Sequence, residues 1–188
     1  MAFSLIGADG SKVPAEIFEN LDEQDFADAQ SQWVKWRPRL KSFGLEHYHW
    51  DWPRKAEHLT ERRIAFQSFG IKANDIWQGL CLAFPGTVVS TKLNLIENKT
   101  YEEAVELLYV DYIASAPWNL KGIDANLRLK GVGKALWKAI NKKWKELRLE
   151  RLGLESLPQS EAYYLKQGFE LRSPRIEMAG RLAYFEGQ

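Results

Sequence analysis

The chain contains 188 residues, which is enough for one domain whose buried core needs neither disulfides nor a metal. Its 26 basic and 25 acidic residues leave a formal net charge of +1, which excludes a strong whole-molecule attraction to nucleic acid or to an anionic membrane. Any site for an anionic ligand must therefore be local.

The first third of the chain is predicted to be helical. Apolar residues recur every three or four positions from Asp22 to about Phe43, which is the period of one buried helix face. Pro38 is expected to bend this helix or end it early, because proline has no N–H for the helical ladder. A second helix is expected to start near Trp52-Pro53 and to run to about Arg62.

The next segments have the composition of strands in an antiparallel meander. Turn signals at Ala73-Asn74-Asp75 and at Pro85-Gly86 separate three apolar stretches, which cover residues 64–72, 76–84 and 88–95. The nearly continuous apolar run from Leu107 to Ser115 predicts a central strand covered on both faces. Asp111 lies inside this run, where a charge is costly unless it is paired, so it is either a functional residue or a salt-bridge partner.

The last third is predicted to alternate helices and strands. An amphipathic helix is expected over 134–147, and its stripe of four lysines indicates a solvated face rather than a nucleic-acid groove. A strand over 151–155 and a helix over 157–167 follow, with Ser156 and Gln159 as a capping box and Gly168 as a left-handed C-terminal cap. Residues 169–172 and 181–185 supply two closing strands. This order predicts one α/β domain over 1–188, a mixed sheet with helices on both faces.

A turn that can bind an anion lies between the central strand and the amphipathic helix. Its residues are Arg128, Leu129, Lys130, Gly131, Val132, Gly133 and Lys134. Glycines at a helix entrance let backbone N–H groups approach a ligand, and the helix dipole favours a phosphate there. A Walker A loop does not fit, because it needs glycine in place of Arg128 and Ser or Thr in place of Ala135. A dinucleotide fingerprint does not fit either, because it needs glycine in place of Leu136. A helix-entry turn without a ligand is the alternative.

Three motifs in the right order resemble those of the GNAT superfamily, the general control-type N-acetyltransferases. Arg-x-x-Gly-x-Gly resembles the coenzyme A signature of that family, and Tyr164 to Phe169 resembles its Tyr-x-x-x-Gly-Phe motif. Ile113 to Pro117 is similar to the end of the strand that holds the acetyl group and pantetheine in that family. The similar core covers about residues 64 to 184. Ala116 to Asn119 and Ser156 to Ser160 also look like a bacterial subgroup whose acceptor is unassigned.

The resemblance implies a mostly antiparallel GNAT sheet, acetyl-CoA as the co-substrate and no metal. It assigns the coenzyme to Arg128 to Lys134 and to the backbone of Ile113, Ala114 and Ser115. Tyr164 is implied as the general acid that protonates the leaving thiolate, with Tyr163 as the fallback, and Asp111 and Glu155 are candidate bases. Two departures from the family pattern stand out: Leu157 replaces a frequent Asn, and the connection from Pro117 to Arg128 is longer than usual.

Three functions remain open at this point. The first is acetylation of a primary amine on a small molecule or a protein, with no nucleic-acid or membrane partner and with a homodimer allowed. The second is a non-catalytic acyl-CoA-binding or sensor protein of the same fold. The third is a toxin that acetylates aminoacyl-tRNA, which should need a strongly basic face.

Two further features bear on the site and on the compartment. The segment His47 to Trp52 alternates histidines with aromatic residues, and it fits an aromatic lip for an acceptor, loop packing or, least well, a metal site. Cys81 is the single cysteine, which favours a reducing, cytoplasmic compartment, and we interpret it as a buried strand residue. We expect neither a signal peptide nor a membrane span, since Met1 to Gly10 lacks a basic start and no eighteen apolar residues run together.

Overall fold

A computed structural model of the protein describes residues 2–94, 99–173 and 183–187. The chain opens with a hairpin of two strands, β1 (Ala2–Ile6) and β2 (Lys12–Glu19). The prediction that the whole first third is helical is therefore wrong. The feature that indicates a strand here is a short alternation with a period of two residues, in which Ala15 is buried while its neighbours Pro14 and Glu16 are exposed.

Three helices follow the hairpin: α1 (Glu23–Trp33), α2 (Arg37–Ser42) and α3 (Trp52–Glu61). The single helix predicted from Asp22 to Phe43 is broken, because a 3-10 turn over Val34–Trp36 separates α1 from α2 and Pro38 lies in the first turn of α2. Proline is tolerated at that position and not in a helix interior. The prediction of α3 is confirmed, with Asp51 as its N-cap.

Strands β3 (Gln67–Ala73), β4 (Ile76–Asn94) and β5 (Lys99–Ser115) follow. Asn74 and Asp75 both have positive φ angles, 51° and 58°, so the predicted turn between β3 and β4 is confirmed. The predicted turn at Pro85-Gly86 is wrong, because β4 runs through it. The fixed φ of proline lies within the broad β region, so this dipeptide permits a turn without enforcing one.

The remaining elements are α4 (Val132–Leu147), β6 (Arg151–Ser156), α5 (Glu161–Lys166), β7 (Glu170–Ser173) and β8 (Ala183–Gly187). The predicted capping box is wrong, since Ser156 donates to the carbonyl of Leu157 and a 3-10 turn over Pro158–Ser160 precedes α5. Gly168 has a φ of 88°, and the N–H of Phe169 bonds to the carbonyl of Tyr164, which confirms the C-terminal cap. Of the predicted strand at 181–185, residues 181 and 182 lie outside the described residues.

The strands hydrogen-bond in the order β1-β2-β3-β4-β5-β6-β8-β7. The pairs β1–β2, β2–β3, β3–β4, β6–β8 and β7–β8 are antiparallel, and β5–β6 is parallel. The predicted fold class, a mixed and mostly antiparallel sheet with helices, is confirmed. No helix among the described residues is long and apolar enough to cross a membrane.

The contacts group the chain into two compact units. The first comprises Met1–Ala83 and Tyr112–Lys143, and the second comprises Phe84–Asp111 and Trp144–Gln188. Phe26, Trp52, Phe69 and Trp77 are almost fully buried in the core of the first unit, and Leu107, Leu108 and Phe185 in that of the second. Leu107 and Leu108 point to opposite faces of β5, so the prediction that this strand is covered on both faces is confirmed. The prediction of a single domain stays a prediction.

Candidate functional site

The glycine turn of the first unit leads directly into α4. Gly131 has a φ of 100°, a conformation that glycine adopts without strain, and its carbonyl accepts the first helical bond, from the N–H of Ala135 at 2.9 Å. The N–H groups of Val132, Gly133 and Lys134 therefore form the first turn of the helix, where no intrahelical acceptor exists. These amides and the positive end of the helix dipole make a site for an anion.

Two basic side chains and one buried guanidinium atom accompany these amides. Lys130 and Lys134 are exposed, and Arg128 is half-buried. The Nε of Arg128 is buried and has no hydrogen-bond partner among the described residues. A phosphate oxygen would satisfy such a donor, so the turn fits the pyrophosphate of coenzyme A.

Backbone hydrogen bonds to β1 hold the turn from one side. The N–H of Lys130 donates to the carbonyl of Ile6 at 2.8 Å, and the N–H of Ile6 donates to the carbonyl of Lys130 at 3.1 Å. Together these bonds form an isolated antiparallel bridge. The hairpin that the sequence analysis missed thus supports the predicted anion site.

A buried polar network holds the turn from the other side. The Oδ1 of Asn119 accepts a hydrogen bond from the N–H of Leu129 at 2.7 Å, while its Nδ2 donates to the Oε1 and the carbonyl of Gln78. The same Oε1 accepts a bond from the indole N–H of Trp118 at 3.0 Å. Asn119 and Gln78 are 8% and 4% exposed. Sequence reasoning missed both residues, although a glutamine inside an apolar strand was a signal because it must find partners when buried.

The end of β5 lies beside the first turn of α4. Ile113, Ala114 and Ser115 are half-buried, and the N–H of Ala116 donates to the carbonyl of Gln78 at 2.7 Å. Gly79 makes this approach possible, because a Cβ at that position would lie 2.6 Å from Val132 Cγ1 and 3.2 Å from the carbonyl oxygen of Ala114. The structure therefore brings the predicted strand residues and the predicted turn together within the first unit.

Three residues of the predicted aromatic segment, Tyr48, Trp50 and Trp52, line a small pocket in the first unit. Its volume is about 20 Å³, and its wall includes Ala114 and Ser115. Around them the pocket is lined by Gln30, Trp33, Arg37, Leu40, Tyr48, Trp50, Trp52 and Pro117. Asp51 caps α3, since its Oδ1 accepts a hydrogen bond from the N–H of Arg54. Within the described part of the chain, no three metal-ligating side chains come together.

The second unit carries the three residues predicted to move protons. Tyr164 lies in α5, is 7% exposed and packs against Phe169 and Phe185, with ring centroids 5.8 and 6.1 Å apart. Its neighbour Tyr163 is 39% exposed. Burial of the Tyr164 ring is compatible both with a core residue and with a hydroxyl held in one position.

The two candidate bases follow the paired part of neighbouring parallel strands. Val110 of β5 pairs with Leu154 of β6, and Asp111 and Glu155 are the next residues on each strand. Asp111 is half-buried and Glu155 is exposed. The proton-transfer roles of Tyr164, Asp111 and Glu155 stay predictions.

A buried charge cluster in the second unit was not predicted. Glu186 is 4% exposed and accepts hydrogen bonds from Arg151 at 2.6 Å, from Arg172 at 3.1 Å and from the Tyr184 hydroxyl at 3.1 Å. Burial raises the pKa of Tyr184, and the neighbouring Glu186 carboxylate raises it further. The cluster ties β6, β7 and β8 together, so we interpret it as structural.

Comparison with known proteins supports the family resemblance. Residues 120–184 match the family described as acetyltransferase (GNAT) domain. That segment contains the glycine turn, α4 and the Tyr164 motif. A sequence search of curated proteins finds no match.

Several solved structures share the fold at low sequence identity. One is a protein from Desulfovibrio desulfuricans assigned to the GNAT family, with a TM-score of 0.58, 14% identity, and 93% of this chain and 98% of that chain covered. Another is the PaiA N-acetyltransferase of Thermoplasma acidophilum bound to coenzyme A. Its TM-score is 0.54 at 15% identity, and the match covers 93% of this chain and 98% of that chain. A third is a GNAT family acetyltransferase of Brucella melitensis bound to acetyl-CoA. Its TM-score is 0.56 at 12% identity, and the match covers 92% of this chain and 86% of that chain. The predicted resemblance to the GNAT superfamily is confirmed.

Proposed function

We propose that this protein is an N-acyltransferase that moves an acetyl group from acetyl-CoA to a primary amine. The observation that carries the proposal is the turn from Arg128 to Lys134, where Gly131 has a positive φ, the first amides of α4 have no intrahelical acceptor, and the buried Nε of Arg128 has no hydrogen-bond partner among the described residues. Its sequence also matches the coenzyme A signature of the GNAT family.

In this proposal the coenzyme pyrophosphate binds the amides of Val132, Gly133 and Lys134. Arg128 adds charge-assisted hydrogen bonds, and the exposed Lys130 and Lys134 contribute longer-range attraction. The negative charge of the phosphates is favourable here because the helix dipole is positive at this end. The turn needs no metal for this role, since backbone amides and basic side chains supply the donors.

The thioester lies against the end of β5. Backbone amides of Ile113, Ala114 and Ser115 donate hydrogen bonds to pantetheine and to the acetyl carbonyl. The acceptor amine attacks that carbonyl directly, and the resulting oxyanion is stabilised by the same donors. Collapse of the tetrahedral intermediate breaks the C–S bond and releases coenzyme A.

Two proton transfers accompany this reaction. The ammonium form of the acceptor must lose a proton, for which Asp111 and Glu155 are the candidate bases, directly or through water. The leaving thiolate must gain a proton, and we assign this step to the hydroxyl of Tyr164.

A single buried cysteine also supports a cytoplasmic protein.

Turnover distinguishes this proposal from a non-catalytic acyl-CoA sensor of the same fold. Thiol release from acetyl-CoA should be measured with a panel of primary amines, together with equilibrium binding of acetyl-CoA by calorimetry. We expect binding and amine-dependent thiol release. Binding without release by any amine would favour the sensor, and absence of binding would contradict both functions.

A further inference from the structure

The small pocket of the first unit opens onto the residues to which the proposed function assigns the acetyl carbonyl. Ala114 and Ser115 line it together with side chains from the helical segment. An acceptor amine that attacks the acetyl carbonyl must come close to these two residues. The rest of the acceptor therefore contacts the wall that the other lining residues form, and the chemistry of that wall is informative about the substrate.

Aromatic rings make up most of that wall. Trp33 and Trp52 are buried, Tyr48 and Trp50 are half-buried, and the Trp50 and Trp52 rings meet edge to face with centroids 5.9 Å apart. The cavity of about 20 Å³ is slightly larger than the ~10–15 Å³ that one water needs. It therefore accepts a small group with an apolar flank rather than a large ring system.

Among the described lining residues, Arg37 supplies the one charged side chain of this wall, whose other polar side chains are Gln30 and Tyr48. The Nη2 of Arg37 donates to the carbonyl of Trp50 at 2.9 Å and lies 3.9 Å from the carboxylate of Asp51. A guanidinium carries five N–H donors, and the described residues give the Arg37 side chain no other hydrogen bond or ion pair. The remaining donors suit a carboxylate, which binds arginine with two parallel hydrogen bonds.

The charges around the pocket are also mostly positive. The Lys55 ammonium lies 4.7 Å from the ring centroid of Trp50 and 3.3 Å from that of Tyr112, and the Lys41 ammonium lies 5.7 Å from that of Tyr48. Asp51 carries the opposite charge, but its carboxylate is half exposed and accepts the N-capping hydrogen bond of α3. A second ammonium on the acceptor would meet repulsion here, whereas an anionic group would be attracted.

We propose that the acceptor is a free amino acid, whose carboxylate binds Arg37 and whose amine lies beside Ala114 and Ser115. This inference rests on the proposed function and names its substrate class. A short apolar side chain packs against the tryptophan rings. The amine nitrogen forms the new C–N bond as the thioester C–S bond breaks, giving an N-acetyl amino acid, free coenzyme A thiol and one released proton.

Matched acceptors that differ only in the carboxylate test the proposal. Alanine, valine and leucine should each be compared with the corresponding amino acid amide, by thiol release from acetyl-CoA. The amide keeps the size but removes the negative charge. Its amine also loses a proton more readily, so a preference for the amino acid cannot come from amine basicity. We expect kcat/KM to be higher for at least one amino acid than for its amide.

Substitution of Arg37 should remove this preference. In Arg37→Gln the ratio of kcat/KM for amino acid over amide should fall by about 10- to 100-fold, as expected for the loss of a charged hydrogen-bonding partner. Arg37→Lys should retain part of the ratio. Arg39→Gln is the matched control, because Arg39 lies exposed on the same helix and does not line the pocket. An unchanged ratio in Arg37→Gln would overturn the proposal.

Binding of products covers the case in which no tested pair turns over. N-acetyl-leucine and N-acetyl-leucinamide should be titrated into coenzyme A-loaded protein while tryptophan fluorescence is recorded, because three tryptophans line the pocket. Carboxylate-dependent quenching that is lost in Arg37→Gln supports the proposal, and equal or absent quenching by both products overturns it. Calorimetric binding of acetyl-CoA in the same samples separates this failure from a failure of the proposed function.

Discussion

Asn119 accepts a hydrogen bond from the backbone N–H of Leu129 at 2.7 Å, and this bond links a buried polar network to the turn that we assign to coenzyme A. Leu129 lies one residue after Arg128 and two before Gly131. The position of the anion-binding amides therefore depends on a side chain that need not touch the coenzyme.

Replacing Asn119 with alanine should weaken coenzyme binding more than chemistry. The change leaves the N–H of Leu129 and the Oε1 of Gln78 with fewer partners, at a cost of about 1–3 kcal/mol in the free energy of unfolding. We expect a raised KM for acetyl-CoA and little change in KM for acetyl-pantetheine, which lacks the pyrophosphate. Asn126→Ala, at an exposed position of the same loop, is the control. Equal changes for both thioesters would argue against a positioning role.

Gly133→Asp should reduce the affinity for acetyl-CoA. The substitution puts a negative charge in the first turn of α4, where the amides are proposed to meet the pyrophosphate. The expected loss is about 10- to 30-fold, measured by calorimetry, because charges at helix ends contribute up to ~2 kcal/mol. Gly133→Ala adds a side chain without charge and serves as the control. Wild-type affinity in a folded Gly133→Asp protein would show that the coenzyme binds elsewhere.

Tyr164→Phe should slow the chemical step and leave the fold intact. The phenyl ring keeps the contacts with Phe169 and Phe185, so only the hydroxyl is removed. We expect kcat to fall by about 10²- to 10⁴-fold with KM for acetyl-CoA nearly unchanged. Single-turnover kinetics should be used so that product release does not hide the effect. A larger loss in the Tyr163→Phe control would transfer the acid role to that residue.

Glu186→Gln should destabilise the protein strongly. The carboxylate is buried, and its loss leaves the guanidinium of Arg151, whose side chain is 14% exposed, without a carboxylate partner, whereas the more exposed Arg172 keeps its pair with Glu170. We expect a decrease of about 3–5 kcal/mol in the free energy of unfolding, measured by urea denaturation. Glu170→Gln breaks an exposed pair with Arg172 and should cost only about 0–1 kcal/mol. Similar losses in the two variants would contradict a structural role for the buried cluster.

Stability should decrease at alkaline pH in part through Tyr184. Burial and the Glu186 carboxylate raise the pKa of this phenol above its ordinary value of about 10. Above that pH the unfolded chain releases the proton while the folded protein retains it, so ionisation favours unfolding. The contribution is fully present below about pH 10 and is lost as pH rises through the folded value.

Comparison of wild type with Tyr184→Phe isolates this contribution. Urea denaturation at about pH 8 and about pH 11 brackets the ordinary tyrosine pKa. We expect the free energy of unfolding to fall less steeply with pH in Tyr184→Phe than in wild type. Parallel pH dependences in the two proteins would show that Tyr184 ionises equally in both states.

The amino-acid sequence by itself determined the features that depend on neighbouring residues. Asn74-Asp75 specify a turn through their tolerance of positive φ, Asp51 and Pro53 specify the start of α3, and Gly168 specifies the end of α5. The glycine turn at the start of α4 could also be predicted from the sequence, because the anion-binding role that we propose for it lies in its own backbone amides. Predictions from neighbouring residues were wrong where pairing with other strands decides the local structure. The predicted turn at Pro85-Gly86 is the example, because β4 continues through it.

Only the tertiary structure decided what holds the glycine turn in place and what surrounds the pocket. Lys130 pairs with Ile6 of the unpredicted hairpin, and Leu129 bonds to Asn119, which in turn bonds to Gln78 of β4. Arg37 lines the pocket from the first residue of α2, directly after the 3-10 turn that separates α1 from α2. Hydrogen bonds act over about 3 Å between atoms whose residues lie far apart along the chain, so no periodicity or spacing in the sequence specifies these partners.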